Sequence, residues 1–221
     1  MQLTYFGHAT FLLEADGTSI LIDPFNEKVG YPFPDVSPRA IAISHEHFDH
    51  TYVQMAKGSP KIIRALRDGG KDWVDVRERI GSISLTTVPT YHDTSQGSDR
   101  GKNAMLVFEA EGLRLVHSGD LGHTLSADHM KALGRVDALL LPVGGHYTIG
   151  PSEAGVVVDQ LPPRVVIPMH YKTEVNQDWP ITSVDVFTAG KPRVKQQGHS
   201  VTLAAAALPA ETEIWVLRHS G

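Results

Sequence analysis

With 221 residues, 41% of them hydrophobic and 20% charged, the chain can bury a core of its own and reads as one domain spanning 1–221. The absence of cysteine excludes disulfides, thiolate metal sites and iron–sulfur clusters, leaving imidazole and carboxylate to hold any metal. A net charge of −5 without a Lys/Arg block argues against a broad nucleic-acid footprint, and no apolar run approaches the roughly 20 residues of a membrane span.

Strand-like runs open the chain at Gln2 to Phe6, Phe11 to Ala15 and Ser19 to Ile22. Asp16-Gly17 sits between the last two as a hairpin signal, so the chain begins as an antiparallel meander. The opening MQLTYFGHAT lacks the basic head and apolar stretch of a signal peptide, and the expectation is a soluble, cytoplasmic protein. A proline-rich segment, Tyr31 to Pro38, follows as an irregular loop suited to capping a cleft, to self-association into a homo-oligomer, or to plain surface. Further strands are expected at Ala40 to Ser44, Ser82 to Val88, Ala104 to Ala110, Leu113 to His117, Ala138 to Leu141, Arg164 to Met169 and Glu213 to Leu217. Glu111-Gly112 marks a second hairpin. Helical spacing comes later, at Ala127 to Leu133, Pro151 to Leu161 and Ser183 to Ala189. Pro151 suits a first helical position, and Thr182 with Asp185 makes a weak capping box. Strands first, then strands alternating with helices, predict an α/β-layered fold with mixed sheets.

The chemistry concentrates after the strand Ala40-Ile-Ala-Ile, where His45, His47, Asp49 and His50 stand within six residues. Residues two apart on an extended strand end point the same way. His45 and His47 can therefore share one ion while Asp49 and His50 reach a second. Each ion needs more donors than this segment holds, and candidates close other strands: Asp23, His92, Asp120 and His170. His146 and Tyr147 follow a strand and a Gly-Gly turn and, with Tyr171, are candidates to protonate a leaving group. His8 reads as a supporting residue and His117 as a neighbour of the ligands, while His123, His129, His199 and His219 have no supporting pattern.

The segment Ser44-His-Glu-His-Phe-Asp-His50 resembles the His-x-His-x-Asp-His signature of the metallo-β-lactamase superfamily, and Asp23, His92, Asp120 and His170 fall in its order. Gly7-His-Ala-Thr10, Ile22-Asp-Pro24, His117-Ser-Gly-Asp120, Leu141-Pro-Val-Gly-Gly145 and Pro168-Met-His-Tyr171 are similar to a bacterial branch that includes ascorbate-6-phosphate lactonase. They also resemble the N-acyl-phosphatidylethanolamine phospholipase D group. The resemblance implies an αββα sandwich of two mixed sheets with outer helices, and a hydrolase with two divalent cations. One ion would take His45, His47 and His92, the other Asp49, His50 and His170. Asp120 would bridge them and, with Asp49, take a catalytic part, and Asp23 would support the histidine loop. His47 stands where related diiron oxygen reductases carry glutamate, which speaks against a redox role. Zinc suits these donors first, with manganese, iron, nickel or cobalt as alternatives.

The leading expectation is hydrolysis of a small ester, lactone or phosphoester through a two-metal-activated hydroxide. Two others stand beside it: a nucleic-acid or nucleotide phosphodiesterase, for which the chain lacks a basic cluster and an inserted domain, and a metal-binding module without turnover.

Overall fold

The computed structural model describes residues 1–220. The first sheet collects β1 (Gln2–Gly7), β2 (Thr10–Ala15), β3 (Thr18–Ile22), β4 (Ala40–Ile43) and β5 (Lys61–Arg64). A short ladder, β6 (Leu66–Arg67) with β7 (Asp72–Trp73), leads to the second sheet. That sheet takes β8 (Arg77–Ile80), β9 (Ile83–Tyr91), β10 (Lys102–Ala110), β11 (Leu113–His117), β12 (Ala138–Pro142) and β13 (Val165–Met169). The chain then adds β14 (Val194–Gln197) to the second sheet, β15 (Ser200–Thr202) to the first and β16 (Glu213–Leu217) to the second. The spatial orders are β15-β1-β2-β3-β4-β5 and β14-β16-β13-β12-β11-β10-β9-β8.

Both sheets are mixed. Hairpins make β1-β2-β3 and β8-β9-β10-β11 antiparallel, while β3-β4-β5 and β11-β12-β13-β16 run parallel. The strand period of two explains the layering. Ile20, Ile22, Ala40 and Ala42 face the second sheet's Leu106, Phe108, Leu115, Leu140 and Ile167 across one shared core. Leu21, Ile41 and Ile43, of opposite parity, point outward to Phe25, Val29, Tyr31 and Met55. A strand buried on both faces has no polar side to show, hence the unbroken runs AIAI and ALLL.

Three helices, α1 (Ala127–Leu133), α2 (Pro151–Gln160) and α3 (Val184–Thr188), cover the outer face of the second sheet through Leu133, Ala154, Val157 and Phe187. The outer face of the first sheet carries no α-helix among the described residues. It is covered by 3-10 turns at Glu27–Val29 and Val53–Met55 and by the Tyr31 loop. The helical layer of the sandwich is thus present on one side and reduced to turns on the other. Pro151 opens α2 as expected, but the Thr182 capping box does not form. Ser183 is the residue at the cap, and both the amide and the hydroxyl of Thr182 donate to Gly144 O. Among the described residues, no helix is long and apolar enough to cross a membrane.

Candidate metal centre

The carboxyl ends of β3, β4, β9, β11 and β13 lie at one edge of the sandwich, and the residues that follow them converge there. Asp23 follows β3, His45 to His50 follow β4, His92 follows β9, Asp120 lies just beyond β11 and His170 follows β13. His8, after β1, joins them. The turn at each end is tight: His8, Asp23 and His170 have φ of 55°, 44° and 51°. Left-handed backbone at a residue other than glycine costs on the order of 1–3 kcal/mol and is retained where surrounding contacts enforce it. One such contact is the His170 amide donating to His8 O at 2.8 Å, which ties the two sheets together beside the cluster.

Besides Asp23 with His45 and His50, two sets of donor atoms each lie within 4.8 Å of one another: His45, His47 and His92 in one, and His8, Asp49, His50 and His170 in the other. Asp120 stands between them. Its Oδ2 is 3.0 Å from His92 Nε2, 3.4 Å from His170 Nε2 and 3.8 Å from His45 Nε2, and its Oδ1 is 3.4 Å from His50 Nε2. All seven residues expected as ligands are therefore together. His146 is not among them: it is exposed, and its carbonyl accepts from Arg100. Tyr171 is buried with its hydroxyl on Leu217 O, whereas Tyr147 lines the cleft and His146 lies beside it in an adjoining cavity.

A second tier of contacts aims the imidazoles. Asp23 is fully buried and accepts the Ser44 amide at 2.7 Å, the Ser44 hydroxyl at 2.5 Å and His50 Nδ1–H at 3.0 Å. Because the Ser44 hydroxyl donates to Asp23, its lone pair takes His45 Nδ1–H at 2.9 Å. One carboxylate thus fixes both rings through Nδ1–H and turns their Nε2 atoms into the cluster. Asn103 does the same for Asp120, accepting its amide at 3.0 Å while its own NH₂ donates to Thr90 Oγ1 and Ser118 O. His117 is committed to the backbone: Nε2–H donates to Ala9 O, and Nδ1 accepts from the Gly119 amide. Gly119, at φ 55°, has no room for a side chain, since a Cβ would lie 2.3 Å from Asn103 Oδ1 and 2.7 Å from Ser44 Oγ.

The residues fit divalent cations on two grounds. His45 Nε2, His50 Nε2 and Asp120 Oδ1 are buried with no hydrogen-bond partner, an arrangement that is costly unless something else satisfies them. The charges also point that way. Burial pushes His50 down, but Asp120 and Asp49 more than reverse this and hold it well above the ordinary imidazole range. His170 is likewise raised, with Asp120 outweighing burial. Burial would raise Asp120 itself, yet His170 and His50 hold it well below the usual carboxylate range. The carboxylates therefore call for positive charge at their centre. His45 is pushed well down by burial and by His50, and burial with His170 lowers His8 to about 4, so both are neutral donors.

The cleft above the donors has a volume of about 320 Å³, and its walls are aromatic: Phe48, Tyr147 and Trp179. Phe48 stands between two ligand candidates and is 58% exposed. Sequence reasoning passed over Ser44, Asn103, Trp179 and Phe48. Ser44 and Phe48 were readable as parts of the histidine segment; Asn103 and Trp179 gave no signal before the strands were placed.

The chain matches the β-lactamase superfamily domain over residues 2–170. It is 33% identical to a metal-dependent hydrolase of Desulforamulus reducens, covering 89% of this chain and 92% of that one, and 33% identical to one of Thermococcus onnurineus, covering 84% and 88%. Among solved structures it is similar to a Thermotoga maritima protein assigned as a Zn-dependent hydrolase of the metallo-β-lactamase superfamily. The TM-score is 0.79 at 35% identity, over 98% of this chain and 97% of that one. The signature after β4, the two facing mixed sheets and these matches agree, and the chain belongs to the metallo-β-lactamase superfamily as a metal-dependent hydrolase.

Proposed function

We propose that the chain holds two divalent cations and hydrolyses a small ester, lactone or phosphoester. The observation that carries this reading is the pair of donor sets flanking Asp120, with buried Nε2 atoms and a buried carboxylate oxygen that no protein group satisfies. His45, His47 and His92 would hold one cation, Asp49, His50 and His170 the other, and Asp120 both. Zinc is the first choice for imidazole and carboxylate together, and the Thermotoga maritima relative is assigned to zinc. When bound, the cations supply Lewis acidity, acidifying water toward neutral pH and polarising the oxygen of the group under attack.

The protein's own groups do the rest. Asp120, anionic and central, orients the attacking water and takes its proton. His8 Nε2–H donates to Asp49 Oδ2 at 3.1 Å and fixes the carboxylate at the mouth of the cleft. The aromatic walls would exclude water around the apolar part of the substrate, and Tyr147, which lines the cleft, would protonate the leaving oxygen. The test is elemental analysis of the purified protein with a screen of esters, lactones and phosphodiesters after supplementation with zinc or manganese. Two cations per chain and turnover of one class are expected. One cation per chain, or none, refutes the two-metal reading, and silence across the screen refutes the substrate reading.

A further inference from the structure

Beside the metal-centre cleft lies a second cavity of about 580 Å³ that has Tyr147 in common with the cleft's lining and is also lined by the candidate ligand His92, by His146 and by Arg100. The Arg100 guanidinium lies over the Tyr147 ring at 5.3 Å and gives one hydrogen bond, to His146 O at 2.9 Å. Among the described residues no carboxylate lies within 4.0 Å of it; Arg39, Arg79, Arg164 and Arg218 are likewise without one, but of these five only Arg100 lines the cavity that holds a candidate metal ligand. A guanidinium has five donor hydrogens in a planar fork, and most of this fork is uncommitted.

The backbone under Arg100 is fixed before any ligand arrives. Asp93 accepts the amides of Ser95, Gly97, Asp99 and Arg100 at 2.7, 2.8, 3.1 and 2.8 Å, which closes the loop between β9 and β10 and spends the Asp93 charge internally. Asp99, the other acid of this cavity, accepts from Ser98 Oγ and forms no ion pair with Arg100. Arg100 is held by a ring and a carbonyl, neither of which neutralises it, in a cavity that reaches a candidate metal ligand.

We propose that Arg100, seated on Tyr147, is an anion subsite, and that the substrates of this enzyme carry a carboxylate or phosphate group in addition to the bond that is cleaved. The proposal rests on the hydrolase reading above and adds the charge class to it. A planar fork matches either anion with two parallel hydrogen bonds. Hydrolysis then adds water across the scissile bond, with hydroxyl to the acyl or phosphoryl side and the proton to the leaving oxygen, and the anchored anion passes through unchanged.

The test compares three para-nitrophenyl esters of similar length on the metal-loaded protein: butyrate, the monoester of glutarate, and an acyl chain ending in phosphonate. Wild type is expected to favour an anionic ester, and the better of the two distinguishes carboxylate from phosphate. Arg100→Gln should lower the anionic-to-neutral ratio of kcat/KM by about 10- to 100-fold, mainly through KM, and Arg100→Lys should restore part of it. A ratio that Arg100→Gln leaves unaltered, or a wild type that favours butyrate, overturns the subsite while leaving hydrolysis intact. If none of the esters turns over, the ester reading fails and binding decides the subsite: phenyl phosphate and phenylacetate are titrated into metal-free protein beside neutral phenylacetamide. Selective binding of an anion that Arg100→Gln removes supports the proposal, and equal binding of all three compounds overturns it.

Discussion

Replacing Ser44 with alanine removes one oxygen from the fully buried link between Asp23 and His45. The Ser44 amide keeps its bond to Asp23 Oδ1, so the loop backbone stays anchored. What is lost is the hydroxyl's donation to Asp23 Oδ2 and its acceptance of His45 Nδ1–H. The imidazole N–H is left in a buried pocket without an acceptor, a penalty of about 1–3 kcal/mol. A value near 2 kcal/mol corresponds to a Tm lower by about 4–8 °C in a chain of this size. The functional effect follows from the tautomer. With its Nδ1 acceptor gone, His45 can carry the proton on Nε2 instead, and loss of such an outer partner weakens metal affinity by about 10- to 100-fold. The assay is competition with a chromophoric chelator, read beside the melting curve of the metal-free protein. Ser118→Ala is the control, because its hydroxyl is equally buried but donates only to Leu140 O. Ser118→Ala should lose stability and keep metal affinity. A Ser44→Ala protein that binds metal as tightly as wild type, or a Ser118→Ala protein that loses as much affinity, would refute the relay.

His45→Ala and Asp120→Asn should each abolish turnover and reduce bound metal by elemental analysis; normal activity in either would remove the basis of the proposed mechanism. Gly119→Ala forces a Cβ against Asn103 Oδ1 at positive φ, with backbone strain alone on the order of 1–3 kcal/mol. It should lower Tm and metal content together, because Asn103 holds the Asp120 amide. At Asp93, burial raises the carboxyl, but the amides of Arg100, Gly97, Ser95 and Asp99 outweigh it and hold it low. A depressed folded pKa means the contribution is full above the unfolded value of about 3.9 and is lost as pH falls through the folded value. Asp93→Asn should therefore cost about 1–2 kcal/mol at neutral pH, and the gap to wild type in a Tm-versus-pH series should narrow on acidification below about pH 4. A gap that is constant with pH would show that the carboxylate charge does not hold this loop.

The strands legible in the sequence are those inside the sheets, and the longer ones it concealed lie at the edges. β5, β8, β14 and β15 end the two sheets, and their sequences KIIR, RERI, VKQQ and SVT are charged or polar. An edge strand shows unpaired backbone to solvent, and polar side chains there discourage pairing with another chain, which also erases the apolar alternation that reveals a strand. The candidate site was readable because its donors are residue types rarely clustered, each placed where an apolar run stops. Asn103 was not readable: it sits inside β10, a position whose value depends on the neighbouring strands bringing Ser118 and Asp120 alongside. For His8 the sequence indicates no more than a supporting residue, because its place beside Asp49, His50 and His170 is set by the packing of one sheet on the other.

That dependence on packing also says how the site and the fold support each other. The donor residues come from strand ends of both sheets, so the cluster exists only when the shared core has closed. Closing it brings Asp23, Asp49 and Asp120 together with a ring of imidazoles behind a low-polarity wall. Like charges are kept tolerable by His50 and His170, which the carboxylates hold above their ordinary range; the His170 amide bond to His8 O holds the left-handed backbone of those two residues across the sheets, and Asp23 is held within the first sheet by its amide on Ala42 O and by the Thr10 hydroxyl on its carbonyl. Cations answer the same demand for positive charge without occupying the imidazole lone pairs with protons. Metal binding should therefore release protons and stabilise the closed sandwich together, since the groups that would bind the cations are those whose burial the fold tolerates least without them.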